Sequence, residues 1–189
     1  MIKKVLVLIA LVASILSASD YSVEKLTDAQ KSTMLHIYEA GKKFDLGLTL
    51  AAIAWQESQL GAHPINLSDP SCGVFHVMPS SLIRRLPLKN NAWNRSRLCE
   101  RLISDLDFSV SAALMELKYW QNYWRVRLKQ KNVWKHMVAS YNGGFAAGPN
   151  SNYVKVIAKK VRIVEQILRE MKNDRNACKL DVPRGQRPR

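Results

Sequence analysis

The chain is poor in the residues that mark several whole classes of protein. Its 189 residues include only eight glycines and seven prolines, too few for collagen-like or low-complexity sequence. No run of about 18 or more apolar residues crosses its body, which excludes a multi-span membrane protein. Cysteine is limited to Cys72, Cys99 and Cys178, at spacings that match no zinc-site pattern, so neither a metal nor another cofactor is expected. Acidic residues are scarce too: 15 Asp plus Glu stand against 29 Lys plus Arg, a formal charge of +14. Such a surface suits an anionic partner, whether nucleic acid, acidic lipid or a polyanionic polymer such as bacterial cell wall. What is plentiful is apolar side chain, at 47%, enough to bury the core of one domain.

The N-terminal segment narrows the partner. Lys3 and Lys4 precede Val5 to Leu16, apolar except for Ser14, and small residues Ser17-Ala18-Ser19 follow before the polar Asp20. A positive start, a short apolar run and a small-residue site describe a secretory signal peptide over 1–19. The competing reading is an uncleaved anchor, for which the run is short. No cysteine stands at the cleavage point, which argues against a lipoprotein. Export places the mature protein in the periplasm or outside the cell, without a stable membrane span. Nucleic acid then becomes a poor partner and cell wall a good one. In an oxidising compartment one cysteine pair can bridge. Of three possible pairings, Cys72 with Cys99 is favoured, because Cys178 falls in a tail.

Helical signals fill most of the chain. Thr27 with Gln30 forms a capping box opening a helix to about Lys43. Thr49 can cap a second helix to about Ser58, followed by a loop from Gln59 to Val74. Pro79 suits the first turn of a short helix to about Leu86, and Arg95 to Ser104 reads as another. The longest helix is expected over roughly Asp107 to Gln130, with Val110, Leu114, Leu117, Gln121, Trp124 and Leu128 on one face. Trp134 to Ser140 is short and closed by Asn142-Gly143-Gly144. Val154, Ile157, Val161, Val164, Leu168 and Met171 then trace a core-facing stripe. The expectation is a mainly α single domain over 20–171, with a minor or absent β element, and a mobile basic tail over 172–189.

The chemistry concentrates at Glu57. In the last turn of its helix, Glu57 shares a face with Leu50, Ile53 and Ala54, the apolar face. A carboxylate there is desolvated and lies beside the negative helix end, and both effects raise its pKa. That is what a general acid near neutral pH needs. Periodicity equally allows a Glu at a frayed helix end pointing to water.

Four motifs in order bear on that choice: Glu57-Ser58, then Gly73 to Pro79 (Gly-Val-Phe-His-Val-Met-Pro), then Ser140-Tyr141-Asn142-Gly143-Gly144, then Asn152-Tyr153-Val154-Lys155-Val156. Together they resemble the soluble lytic transglycosylase (SLT) family, the lysozyme-like enzymes of glycoside hydrolase family 23. That family carries Glu-Ser, Gly-Leu-Met-Gln, Ala-Tyr-Asn-x-Gly and Tyr-Val-x-Lys-Val. The resemblance covers roughly Leu46 to Val156. It implies a lysozyme-like fold and cleavage of the β-1,4 bond between N-acetylmuramic acid and N-acetylglucosamine, with Glu57 as acid and then base. The muramic C6 hydroxyl closes a 1,6-anhydro ring, so one protein carboxylate suffices where glycosidases commonly use two.

The resemblance also implies substrate-binding roles for Ser58, Ser68, His76, Tyr141, Asn142 and Tyr153. His76 stands where the family has Gln and either replaces it as an imidazole donor or marks altered specificity. Ser68 is the candidate for a serine that meets an N-acetyl group in relatives. Tyr141 and Asn142 would orient the acid or the acetamido groups; their structural alternative is a helix-terminal turn. Asp69 offers a second carboxylate for a water-using lysozyme, although an Asp before Pro70 more often starts a turn. Tyr119, Trp120, Tyr123 and Trp124 could stack on sugar rings, but at helical spacing most should be core, with Tyr153 the better groove residue. The implied partner is the peptidoglycan glycan strand, together with a secretion, conjugation or pilus assembly complex. The alternatives are a lysozyme-type hydrolase and a non-catalytic wall-binding adaptor.

Overall fold

Thr27 opens the first helix by the reciprocal capping read from the sequence. Its Oγ1 accepts from the Gln30 amide at 3.2 Å, and Gln30 Oε1 accepts from the Thr27 amide at 2.9 Å. The computed structural model describes residues 26–66, 68–129 and 131–180, with side chains to 174. The expected signal peptide, the side chain of Cys178 and residues 181–189 lie outside these. Among the described residues are α1 (Asp28–Lys42), α2 (Gly47–Ser58), α3 (Pro79–Ile83), α4 (Ala92–Ser104), α5 (Leu106–Arg127), α6 (Val133–Gly143), a 3-10 turn (Gly144–Ala146) and α7 (Asn152–Leu180). No strand forms among them, only isolated antiparallel bridges from Cys72 to Ile65 and to Val77. The domain is mainly α, as expected.

The second helix organises the rest. Leu50, Ala51, Ala52, Ile53 and Ala54 are all fully buried, so α2 is apolar all round rather than on one face, the pattern of a central helix. It packs against α1, α5 and α7. Gly47 lets α1 approach, since a Cβ there would stand 2.5 Å from the Tyr38 carbonyl oxygen. Thr49 is not the cap of α2: the helix begins two residues earlier without a side-chain cap, and the Thr49 hydroxyl accepts from the Trp134 indole at 3.0 Å. Tertiary contact has taken the hydroxyl that capping would use.

Other boundaries move for local reasons. Asn91 caps α4 through the Asn94 amide at 2.8 Å, so that helix starts before Arg95. The longest helix is α7, not α5. It continues past Met171 through Leu180, because 172–180 lacks glycine and proline and favours helix even after the apolar stripe ends. Of the tail expected over 172–189, that part is therefore helical. On α5 the buried face includes Val110, Leu114, Leu117 and Trp120, with Gln121, Trp124 and Leu128 only half-buried.

Cys72 and Cys99 are bridged, tying the bridge-forming loop to α4. The bond closes a chain separation of 27 residues, for which loop entropy gives about 3.5 kcal/mol of stabilisation. Reduction, or Cys99→Ala, is expected to lower the melting temperature by about 10 °C, measurable by thermal unfolding with and without reductant. An unchanged melting temperature would mean that the loop is already held without the bond.

Candidate active site

Glu57 ends α2 with its side chain only 18% exposed, so it points inward and not to water. Burial pushes its carboxyl above the ordinary value of 4.5; a hydrogen bond from Tyr153 and the fields of His76 and Lys160 pull it down, while Asp69 pushes it up. The result is a raised carboxyl, flanked by Tyr153 and His76 and within the field of Lys160. Tyr153, in the first turn of α7, donates to Glu57 Oε1 at 2.5 Å. His76 Nδ1 stands 3.6 Å from Oε2. Lys160, also on α7, has its own pKa lowered by burial against the opposing pull of Glu57, and its ammonium sits 4.9 Å from the Trp55 ring centroid.

The loop that carries His76 is fixed at four points. Cys72 and Val77 exchange backbone hydrogen bonds of 3.1 and 2.9 Å, leaving Gly73 to His76 as a tight loop. Ser58 donates to the Val74 carbonyl at 2.6 Å, tying the loop to α2. Tyr141 donates to the Phe75 carbonyl at 2.9 Å, tying it to α6. The Cys72–Cys99 bond ties it to α4, and the Phe75 ring is fully buried beneath it. Burial, with Glu57 nearby, raises the Tyr141 and Tyr153 phenols well above 10.0, so both remain protonated donors.

A cleft of about 600 Å³ opens over Glu57, lined also by Asn66, Asp69, Ser71, His76, Val77 and Met78, by Ser81, Arg84 and Arg85, and by Glu116, Tyr119 and Trp120. Ser140 to Phe145 complete it. Glu57, His76, Tyr141 and Asn142 are thus brought together as the motifs imply. Asp69 joins them, although its Oδ1 also accepts from the Ser71 amide at 3.0 Å, the turn expected before Pro70.

Two expected substrate contacts, Ser58 and Tyr153, need correction, and Ser68 stands beside the cleft lining. Ser58 is fully buried; its hydroxyl donates to Val74 and accepts from the Gly61 amide at 2.8 Å, so it holds the loop and cannot touch a ligand. Ser68 is exposed outside the cleft lining, in a turn where its amide donates to Asn66 Oδ1 at 3.0 Å. Tyr153 does not line the cleft either; it stands behind Glu57 as a positioning residue. Of the aromatics read as core, Tyr119 and Trp120 reach the cleft, whereas Tyr123 and Trp124 do not.

Comparison with known proteins adds little. No known family's sequence model matches the chain. No solved structure matches it. It is similar to an uncharacterized 20.7 kDa protein in the vs-regB intergenic region of Enterobacteria phage T4, 27% identical over 187 residues, 87% of this chain and 98% of the relative. That likeness spans nearly the whole of both chains and carries no stated activity. The site must be read from its own chemistry.

One end of the cleft escaped sequence reasoning. Arg85 makes a bidentate pair with Glu116 at 2.6 and 2.7 Å, Glu116 also accepts from the Trp120 indole at 2.7 Å, and the Arg85 guanidinium stacks 3.7 Å from the Tyr119 ring centroid. Phe145, 63% exposed, meets Trp120 edge-on with centroids 4.7 Å apart. Nothing marks Arg85 and Glu116 in advance: they lie 31 positions apart, and each reads alone as a surface charge. No group of three or more His, Cys, Asp or Glu among the described residues is placed to hold a metal.

The Tyr153 contact has a measurable consequence. Its hydrogen bond stabilises the Glu57 carboxylate, so Tyr153→Phe should raise the Glu57 pKa further. If Glu57 acts as an acid, the alkaline limb of the pH–rate profile moves to higher pH. The maximal rate falls about tenfold, the size of one lost hydrogen bond to a charged group. An unmoved limb would show that Tyr153 does not tune Glu57.

Proposed function

We propose that the chain is a peptidoglycan lytic transglycosylase with Glu57 as its general acid. The observation that carries this reading is a half-buried glutamate, raised by burial and braced by Tyr153, in an open cleft. A carboxyl of that kind remains protonated at pH values where an exposed one has ionised, and can donate to a leaving oxygen. The cleft suits an extended polar polymer: Asn66 and Asn142 bring polar groups to its lining, and Phe145 an exposed ring. A formal charge of +14 favours a polymer whose peptide stems bear carboxylates.

In the proposed reaction Glu57 gives its proton to the glycosidic oxygen as the bond to the muramic anomeric carbon breaks. The muramic C6 hydroxyl attacks that carbon and gives its proton to the Glu57 carboxylate, so the acid is restored and the products together have the composition of the substrate. Tyr141 holds the His76 loop in place, and Asn142 is exposed at the cleft to meet an acetamido group. Export of the mature domain to the periplasm or beyond follows from the reading of 1–19, and a wall-spanning secretion, conjugation or pilus complex is the proposed setting.

A second reading has its own observation. Asp69 shares the cleft with Glu57, so a hydrolase in which Asp69 activates water uses the same scaffold. The experiment that tests whether the domain cleaves at all is release of soluble muropeptides from purified peptidoglycan. Time-dependent release is expected from the 20–189 chain. Tight binding to the wall without release would instead mean an adaptor.

A further inference from the structure

The His76 imidazole is oriented by a contact that decides which nitrogen is free. Its Nε2 lies 2.8 Å from the His63 carbonyl oxygen. A carbonyl only accepts, so Nε2 carries the hydrogen, and in the neutral ring Nδ1 is a bare lone pair. That lone pair is on the nitrogen 3.6 Å from Glu57 Oε2, with the His76 side chain 10% exposed. The backbone is held in an unfavourable state to achieve this. His76 has φ +44°, a left-handed conformation that costs a residue with a Cβ about 1–2 kcal/mol and glycine almost nothing.

We propose that His76 is a second catalytic residue of this cleft. Its Nδ1 accepts the proton of the attacking hydroxyl while Glu57 donates one to the glycosidic oxygen, and it then returns that proton to Glu57. The proposal rests on the transglycosylase reading and deepens it by dividing between two groups the acid and base roles otherwise assigned to Glu57 alone. The bookkeeping closes. In the protonation state that reacts, Glu57 carries the proton and the His76 ring is neutral; the step leaves Glu57 as carboxylate and His76 as imidazolium. Transfer of the Nδ1 proton to Oε2 restores both, with no co-reactant. The gap exceeds a direct hydrogen bond by about 0.8 Å, and such contacts commonly tighten when substrate binds.

The surroundings suit a shared proton. Glu57 faces His76 from α2, and Asp69 lies in the same cleft. The Tyr153 phenol reaches Glu57 from α7 and the charge of Lys160 acts on it from the same helix, while the Tyr141 phenol of α6 holds the loop. Arg84 also lines the cleft, and the charges of Arg85 and Glu116 are spent on each other. The active state is the one with a single proton on the Glu57–His76 pair, so the two limbs of the pH profile belong to the pair.

The test compares pH–rate profiles for peptidoglycan cleavage by the wild type, His76→Gln, His76→Asn and Glu57→Gln. The wild type should give a bell. Both His76 variants should fall about 10²-fold at the optimum and lose the acidic limb, keeping only the alkaline one. A uniform fall with both limbs in place, or no fall, would overturn the relay. Asn tolerates left-handed backbone better than Gln, which guards against a folding defect. A measurement on the wild type alone is independent of the variants: nitrogen NMR of the neutral His76 ring should find the proton on Nε2, and a proton on Nδ1 would overturn the proposal. If the wild type shows no Glu57-dependent cleavage, the transglycosylase reading fails and the relay with it, an outcome separate from failure of His76 alone.

Discussion

Glu57→Gln is expected to lower glycan cleavage by about 10³-fold, within the range of a lost general acid, while making the folded protein more stable at neutral pH. The activity loss follows because Gln keeps the shape and the Tyr153 contact but has no proton to give. The stability gain follows from linkage. Burial raises the Glu57 carboxyl above 4.5, so the folded state holds its proton more tightly than the unfolded chain does. That preference stabilises the fold fully at pH below 4.5 and is lost as pH rises through the raised value. Gln is neutral throughout and does not incur that loss. Thermal unfolding at pH 4 and pH 7.5 checks it: the variant's advantage should be present at the higher pH and shrink at the lower. A variant that is both inactive and less stable at pH 7.5 would mean that Glu57 is a structural carboxylate.

The second large effect is expected at Gly73. It has φ +80°, and a Cβ there would stand 2.4 Å from the Leu102 carbonyl oxygen. Backbone strain at positive φ costs about 1–3 kcal/mol, and overpacking against fixed backbone about 1–3 kcal/mol more. Gly73→Ala should therefore destabilise by about 4 kcal/mol and lower the melting temperature by about 10 °C. Activity should suffer below the unfolding range as well, because the loop that must shift carries His76 and accepts from Ser58 and Tyr141. Circular dichroism melts with parallel cleavage assays measure both. A variant with wild-type stability would contradict the tight loop.

These two residues also mark how far the sequence could be read. The Thr27–Gln30 box, the α7 stripe and the Cys72–Cys99 pairing were legible because each is local or chosen by elimination among few partners. The inward aim of Glu57 was not, since periodicity gave it an apolar face but no lid; the 73–76 loop and α7 supply that cover. Ser58 and Tyr153 sit in motifs that resemble a substrate-binding set, yet a motif records proximity to chemistry, not which atom faces the ligand. One turned into the core and the other stood behind the acid. The pair of Arg85 and Glu116 had no sequence signal, because a bidentate contact between the turn after α3 and the distant α5 depends on how the two pack. Which of the four aromatics from Tyr119 to Trp124 would reach the cleft was open for a related reason. A tryptophan at core spacing can bury its ring and still offer an edge to a cleft.

The measurement that tests the account most directly is the mass of the muropeptides released from purified peptidoglycan by the wild-type chain. The account predicts chains ending in 1,6-anhydro-muramic acid, one water lighter than hydrolysed chains, and absent with Glu57→Gln. Products with ordinary reducing ends would contradict it and return attention to Asp69 as the activator of water.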